Sequence, residues 1–491
     1  MESQLLSQLS NASLLQCSAF IDGQWCDSAQ GKTFSVLNPA TEQVIAQVAN
    51  LGASDTEQAI KAAKLAQVSW RQKSAKDRAH VLEYWYDLVI ENTDDLALIM
   101  STENGKSLQE SMGEVAYSAS FIKWFAEEAK RVYGDVVPLA QTDKRGIIIK
   151  QPVGVVAAIT PWNFPSAMIT RKVAPALAVG CAVVLKPAAE TPLSALALAY
   201  LAQQAGLPAG LFNVVTGDDA NAIGGVLTSH PDVKKLTFTG STPVGKLLMN
   251  QCSATVKRTS MELGGNAPLI IFDDADLDLV VPGIVNAKFR NSGQTCISAN
   301  RILVQEGIYT QFIERLQRTV SAFKFGVFSD QDTTHGPMIT KQAKTNLHAK
   351  VKKAVAQGAT LLCGGQLSDD PGYFYPATVL TDLTSDMDIF KEEIFGPVAA
   401  VYQFSDQTQA VAMANDTEFG LAAYFYTENM RRSWQVSEAL EYGMVGVNET
   451  AIGAEMIPFG GVKESGQGRE GSKYGLDDYL EIKYVCHGNI S

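Results

Sequence analysis

Apolar residues along the first third of the chain recur every three to four positions. Ser54-Asp55-Thr56-Glu57 reads as a capping box and predicts a helix running to about Trp70. Val81, Leu82, Trp85, Leu88 and Val89 fall on one face of a second helix. From Val153 the pattern changes to short apolar runs alternating with helical ones. Strands are predicted over 153–160, 182–186, 212–216 and 236–239, with helices over 167–179 and 192–205. That alternation implies βαβ units, a parallel sheet and an α/β nucleotide fold. A second α/β region extends from about Asn266 to Glu464. Two runs stand apart: the β-branched 146–150, and 480–484, where apolar and charged residues alternate as in a half-buried strand.

A chain of 491 residues is too long for one ordinary core, so two or three domains are expected. The net charge of -12, without a basic cluster, argues against a nucleic-acid surface. The most apolar stretch, 173–185, contains Pro175 and is too short to span a bilayer, so no membrane partner is expected. Seven scattered cysteines without a C-x-x-C pair support neither a disulfide framework nor a zinc site, and no metal is expected. The first basic residue is Lys32, which fits neither a signal peptide nor a transit peptide. A cytoplasmic protein is the expectation.

Three short segments carry chemistry. Cys296 closes the polar, glycine-containing run 289–296; Glu262 stands before Gly264-Gly265; Asn163 sits between Trp162 and Phe164-Pro165. A thiol, a carboxylate and an amide form a minimal kit for covalent chemistry on a carbonyl. A lone cysteine is more often a small buried hydrophobe, which suits Cys181 in its apolar run, but the neighbours of Cys296 are polar. In this order and these contexts the three segments resemble the NAD(P)-dependent aldehyde dehydrogenase superfamily, and the resemblance covers all but the first fifteen or so residues. It implies that Cys296 attacks the aldehyde. The Cys296 N–H and the Asn163 side chain would steady the oxyanion, and Glu262 would act as general base.

No G-x-G-x-x-G fingerprint is present. Residues 240–246 imitate a P-loop, but Leu247 stands where a magnesium-binding Ser or Thr belongs, so an NTPase is rejected. The resemblance turns this segment into a pyrophosphate site at a helix N-terminus, with Gly240, Ser241 and Gly245. It also places Thr160, Pro161 and Trp162 on the cofactor, Lys186 on the adenine ribose, Glu393 on the nicotinamide ribose and Phe395 near the nicotinamide. Ala189 stands where NAD-preferring relatives often carry an acid, so NADP is expected to be preferred, with NAD as a second cofactor.

Arg171, Arg290 and Phe459 match substrate positions, the two arginines suiting a planar carboxylate because a guanidinium binds it bidentately. Succinate-semialdehyde dehydrogenases resemble the chain most. Two departures stand out: Gly453 where that subfamily commonly has a serine, and Ser298 where many members have a second cysteine. The expected fold is a Rossmann-type cofactor domain over 1–132 and 152–262, with an α/β catalytic domain over 263–465. A β oligomerisation arm over 133–151 and 466–491 completes it, giving a homodimer or homotetramer. Oxidation of succinate semialdehyde is the expected activity. The alternatives are another aldehyde (glutarate semialdehyde, or a neutral aliphatic or aromatic one) and a catalytically silent binding protein.

Overall fold

The change of period near Val153 coincides with the centre of an eight-stranded sheet. In this computed structural model, which describes residues 5–330, 332–367 and 371–490, strand Val155–Ile159 is flanked by parallel strands on both sides. The expected segment limits at residues 1 and 491 lie outside the described residues. On one side run Ala182–Lys186 and Phe212–Val214; on the other, Val233–Thr239 and Arg258–Glu262. The chain therefore leaves Val155–Ile159 in one direction and returns on its other side. Such a reversal opens a crevice at the carboxyl ends of the strands, the usual ligand position in open α/β sheets. Residues 160–163 and 240–241 emerge there.

A seven-stranded sheet forms the second core. Its order is Thr360–Cys363, Thr378–Leu383, Val398–Phe404, Ala299–Gln305, Ala267–Ile271, Ala422–Tyr426 and Met444–Val447. Only the first pair is antiparallel; the rest are parallel and packed on both faces. A third sheet pairs Leu480–His487 with Arg145–Pro152, and that strand with Asp135–Val137, all antiparallel.

Helix Ala167–Val179 and strand Ala182–Lys186 lie where the pattern puts them, with Gly180 turning the helix end at φ 101°. The first helix differs. It starts at Ala53, because the Asp55 carboxylate accepts the Gly52 N–H at 3.0 Å, so the box is closed by Gly52 and Asp55 rather than Ser54 and Glu57. Both outlying strands are longer than predicted, Arg145–Pro152 and Leu480–His487, because they hold each other's ladders through eight register pairs.

Candidate active site

The segment before Cys296 has an unusual backbone. Helix Leu277–Ile284 runs into a π-helical turn, Val285–Phe289, and then Asn291, Ser292 and Gly293 take φ of 49°, 56° and 70°. Left-handed backbone costs a non-glycine residue about 1 kcal/mol, so the surroundings must hold it. They do. Glu110 accepts the Asn291 N–H at 2.6 Å, Ser292 donates to the Gly336 carbonyl at 2.7 Å, and Gln294 accepts the Ile339 N–H at 3.0 Å. Gly293 is obligatory, since a Cβ there would stand 2.2 Å from the Gly396 carbonyl oxygen. The tightened chain then delivers the half-buried Cys296 to the wall of a cavity of about 600 Å³. That volume is typical of small-molecule sites.

Asn163 meets Cys296 in that cavity. Its side-chain N–H donates to the Gln294 carbonyl at 2.9 Å, leaving its second amide hydrogen uncommitted. Its own carbonyl accepts from Asn291 at 3.0 Å and from the Lys106 ammonium at 2.8 Å, and Lys106 also pairs with Glu114 at 2.5 Å. Glu262, the last residue of Arg258–Glu262, lines the same cavity, and among the described residues neither carboxylate oxygen has a hydrogen-bond partner. Burial, together with the nearby Glu470 charge, pushes its pKa well above the usual carboxylate range. Burial and then the Glu393 charge push the Cys296 thiol up to about 12, so at neutral pH it is a thiol.

Pro161, Trp162, Gly240, Ser241, Glu393 and Phe395 also line the cavity. Trp162 and Phe395 meet edge to face, centroids 5.7 Å apart. Glu393 accepts the Gly265 N–H at 3.0 Å, and burial raises its pKa to about 7. Ser241 precedes helix Thr242–Ser253 without a side-chain capping bond, so the first-turn N–H groups stay open. Thr160, Lys186, Ala189 and Gly245 lie outside this cavity. The Thr160 N–H bonds the Lys186 carbonyl at 3.1 Å, the Lys186 ammonium is buried against the Pro187 carbonyl at 3.3 Å, and Gly245 packs on Leu263.

Arg171, Arg290 and Phe459 complete the wall. Arg171 is fully buried, its guanidinium 4.1 Å from the Phe459 ring centroid, with Nε 2.7 Å from Glu470 Oε2 and Nη2 without a hydrogen-bond partner among the described residues. Arg290 is exposed and lies over Phe164 at 5.4 Å; among the described residues it has no carboxylate or hydrogen-bond partner. The sequence reading gave no role to Lys106, Glu110, Glu114, Tyr117, Lys172 or Glu470. Lys172 and Arg171 together hold the Glu470 carboxyl below its ordinary range although burial alone would raise it. Only Lys172 stood out as an ionisable residue in an otherwise apolar helical run, while Lys106 and Glu470 lie outside helices and gave no such signal. Among the described residues no group of three or more His, Cys, Asp or Glu is placed to hold a metal, and no helix is long and apolar enough to cross a membrane.

The profile described as the aldehyde dehydrogenase family matches residues 25–485. The chain is 56% identical to 3-sulfolactaldehyde dehydrogenase of Pseudomonas putida, over 98% of this chain and 99% of the relative. It is 53% identical to the NADP(+) succinate-semialdehyde dehydrogenase GabD of Escherichia coli K12, over 98% of this chain and 100% of that protein. The crystal structure of succinate-semialdehyde dehydrogenase from Burkholderia pseudomallei superposes with a TM-score of 0.97 at 52% identity, covering 98% of this chain and 100% of that one.

Proposed function

The chain belongs to the aldehyde dehydrogenase family, and from that premise we propose that it oxidises a small aldehyde bearing a terminal carboxylate, succinate semialdehyde foremost. The observation that carries this reading is the pair of guanidinium groups in the cavity of Cys296, one with a free Nη2 and the other without any acidic partner among the described residues. Arg290 offers a cation with no counter-ion among the described residues, and Arg171 an open Nη2 beside its pair with Glu470, so a substrate carboxylate can accept from both.

In this mechanism Cys296 Sγ bonds the carbonyl carbon while its proton passes to Glu262. The Cys296 N–H and the uncommitted Asn163 amide hydrogen receive the oxyanion, a role worth about 3 kcal/mol per donor. A nicotinamide cofactor held by Gly240, Ser241 and Glu393 would supply the acceptor for the hydride that the tetrahedral carbon gives up. Glu262 releases the thiol proton to solvent and then takes one from water as the water attacks the thioester; Cys296 departs, regains a proton from Glu262, and the acid is released. The residues suit such a cofactor: Gly240, Ser241 and the open first turn of Thr242–Ser253 fit a pyrophosphate, and Glu393 fits a ribose. NADP is the proposed preference. The division into cofactor domain, catalytic domain and oligomerisation arm at the limits given above belongs to the same proposal, as does a cytoplasmic setting.

A second reading shares the anion end. The relative from P. putida is named for a sulfonated aldehyde, and Gly453 leaves the wall of this cavity without a side chain. Reduced-cofactor formation against succinate semialdehyde, glutarate semialdehyde, 3-sulfolactaldehyde, butanal and benzaldehyde, with NAD and NADP, separates the readings. Equal or faster turnover of the neutral aldehydes would overturn the anionic-substrate proposal.

A further inference from the structure

Tyr117 lines the cavity from helix Leu108–Glu128, and the proposed mechanism gives it nothing to do. Its ring is fixed edge-on against Phe121, with centroids 4.8 Å apart, and Phe121 in turn lies 5.5 Å from the Arg171 guanidinium. Among the described residues its hydroxyl has no hydrogen-bond partner. The half-buried phenol is therefore free to donate into the cavity. Tyr117, Arg171, Arg290 and Gly453 line the same cavity; burial raises the Tyr117 pKa, and the Arg171 and Arg290 charges oppose that rise.

Gly453 faces it. A Cβ built on Gly453 would meet the Tyr117 hydroxyl oxygen at 3.4 Å and the ring carbon bearing it at 3.9 Å, and nothing else within 4 Å. Gly453 has no positive φ to require a glycine, so its missing side chain leaves space rather than relieving strain. That space opens beside an uncommitted hydroxyl in the cavity that both arginines line.

We infer that Tyr117 donates a third hydrogen bond to the anionic head of the substrate and that Gly453 sets how long the substrate can be. This rests on the anionic-aldehyde reading above and deepens it. A phenol donates to one oxygen while the guanidinium groups hold the others, so the head group is gripped from more than one direction. The volume left by Gly453 admits about one further methylene between aldehyde and anion. The pocket thus takes five-carbon as well as four-carbon semialdehydes.

The test uses the full chain with succinate semialdehyde, glutarate semialdehyde and butanal, alongside thermal melting to establish that each variant is folded. A hydrogen bond to a charged group corresponds to roughly ten-fold or more in kcat/KM, so Tyr117→Phe should lower the ratio of semialdehyde to butanal turnover by that factor. The aromatic contact with Phe121 survives in this variant. Gly453→Ser should lower the ratio of five-carbon to four-carbon semialdehyde by about four-fold, the value of one buried methylene. A Tyr117→Phe enzyme that keeps the wild-type ratio overturns the donor role, and an unchanged length ratio in Gly453→Ser overturns the size role. Failure of the underlying reading looks different: the wild-type enzyme itself would then show no preference for either semialdehyde over butanal.

Discussion

Arg171 and Glu470 form an ion pair, Nε to Oε2 at 2.7 Å, that lacks hydrogen-bond alignment and leaves Arg171 Nη2 open. The same guanidinium is thus both a structural cation and a wall of the cavity, whereas Arg290 has no such second duty. Replacing the two should have different consequences. Arg290→Ala should raise KM for succinate semialdehyde ten- to a hundred-fold, from a lost charge-assisted bond of about 1.5–3 kcal/mol, with melting temperature little changed. Arg171→Ala should do the same and also destabilise the fold by on the order of 3 kcal/mol, because Glu470 stays buried with one of its two ion-pair partners among the described residues removed. Steady-state kinetics and thermal melting on both variants decide this. Equal KM changes for butanal would make the arginines structural only.

The protonation states of Cys296 and Glu262 lead to a pH prediction. Burial pushes the thiol up to about 12, so it holds its proton at neutral pH, and burial pushes the Glu262 carboxyl well above its ordinary range, so it keeps its proton to higher pH than an ordinary carboxylate does. A general base with a raised pKa works only above it; turnover should therefore rise with pH through a range lying above that of an ordinary carboxylate. Glu262→Gln should remove that limb and leave a burst of reduced cofactor, since deacylation needs the base more than hydride transfer does. Cys296→Ala should abolish oxidation while cofactor binding, followed by fluorescence, persists. Steady turnover by Cys296→Ala would overturn the covalent mechanism.

Why Cys296 was legible and its supports were not is a matter of distance along the chain. Residues 289–296 announce a tight polar turn by composition alone, and Asn291 with Gly293 are residue types that tolerate left-handed backbone. Helix 167–179 and strand 182–186 were legible for local reasons too, the helix ended by Gly180 and the strand a short apolar run ended by Lys186-Pro187. The clamps come from elsewhere: Glu110 reaches Asn291 from 181 residues away, and Lys172 reaches Glu470 from 298. No pattern in either segment names its partner, because pairing across the fold is decided by the order of the strands. The N-terminus of the first helix was misplaced on a smaller scale, where two acids, Asp55 and Glu57, competed for one cap and geometry favoured the one three residues from Gly52.

Lys288 offers a test of electrostatic cost. Its side chain is fully buried, its ammonium has no hydrogen-bond partner among the described residues, and burial lowers its pKa to about 7. Between that value and the ordinary lysine range the unfolded chain binds the extra proton. Stability through this residue therefore rises as pH climbs from about 7 towards 10. Lys288→Met should stabilise the protein at pH 7 by about 1–4 kcal/mol, the usual gain when a buried charge gives way to an apolar residue, and the gain should shrink by pH 9. Thermal melting at the two pH values reads this directly. A destabilised variant at pH 7 would mean that the ammonium is compensated, with Glu393 as the candidate counter-charge.

Assembly should follow from the third sheet. Val136, Ile482 and Tyr484 are 75%, 69% and 55% exposed on strands that leave an open edge, an aggregation hazard unless another copy covers it. A dimer or dimer of dimers is expected by sedimentation, and a stable, active monomer at micromolar concentration would refute it.

Cofactor choice turns on the end of strand Ala182–Lys186. Lys186 is buried, its ammonium bonded only to the Pro187 carbonyl among the described residues, and burial lowers its pKa while the Glu190 and Asp218 charges oppose that shift. Three residues on, Ala189 is half-buried and uncharged, where a carboxylate would repel a 2′-phosphate at close range. The phosphate of NADP would give Lys186 a counter-charge that no described residue provides at hydrogen-bond distance, so NADP should have the higher kcat/KM, with NAD also accepted. The counterforce is Glu190, already close enough for its charge to act on Lys186; a shift of this loop towards the ribose would restore NAD preference. Comparing kcat/KM for the two cofactors in wild type and in Ala189→Glu settles the matter. The substitution should move the ratio towards NAD by roughly ten-fold or more, the scale on which a like charge beside the phosphate weakens its charge-assisted hydrogen bond to Lys186. A wild-type enzyme that strongly favours NAD would show that Glu190 wins, and an Ala189→Glu enzyme with an unchanged ratio would show that this position does not face the ribose.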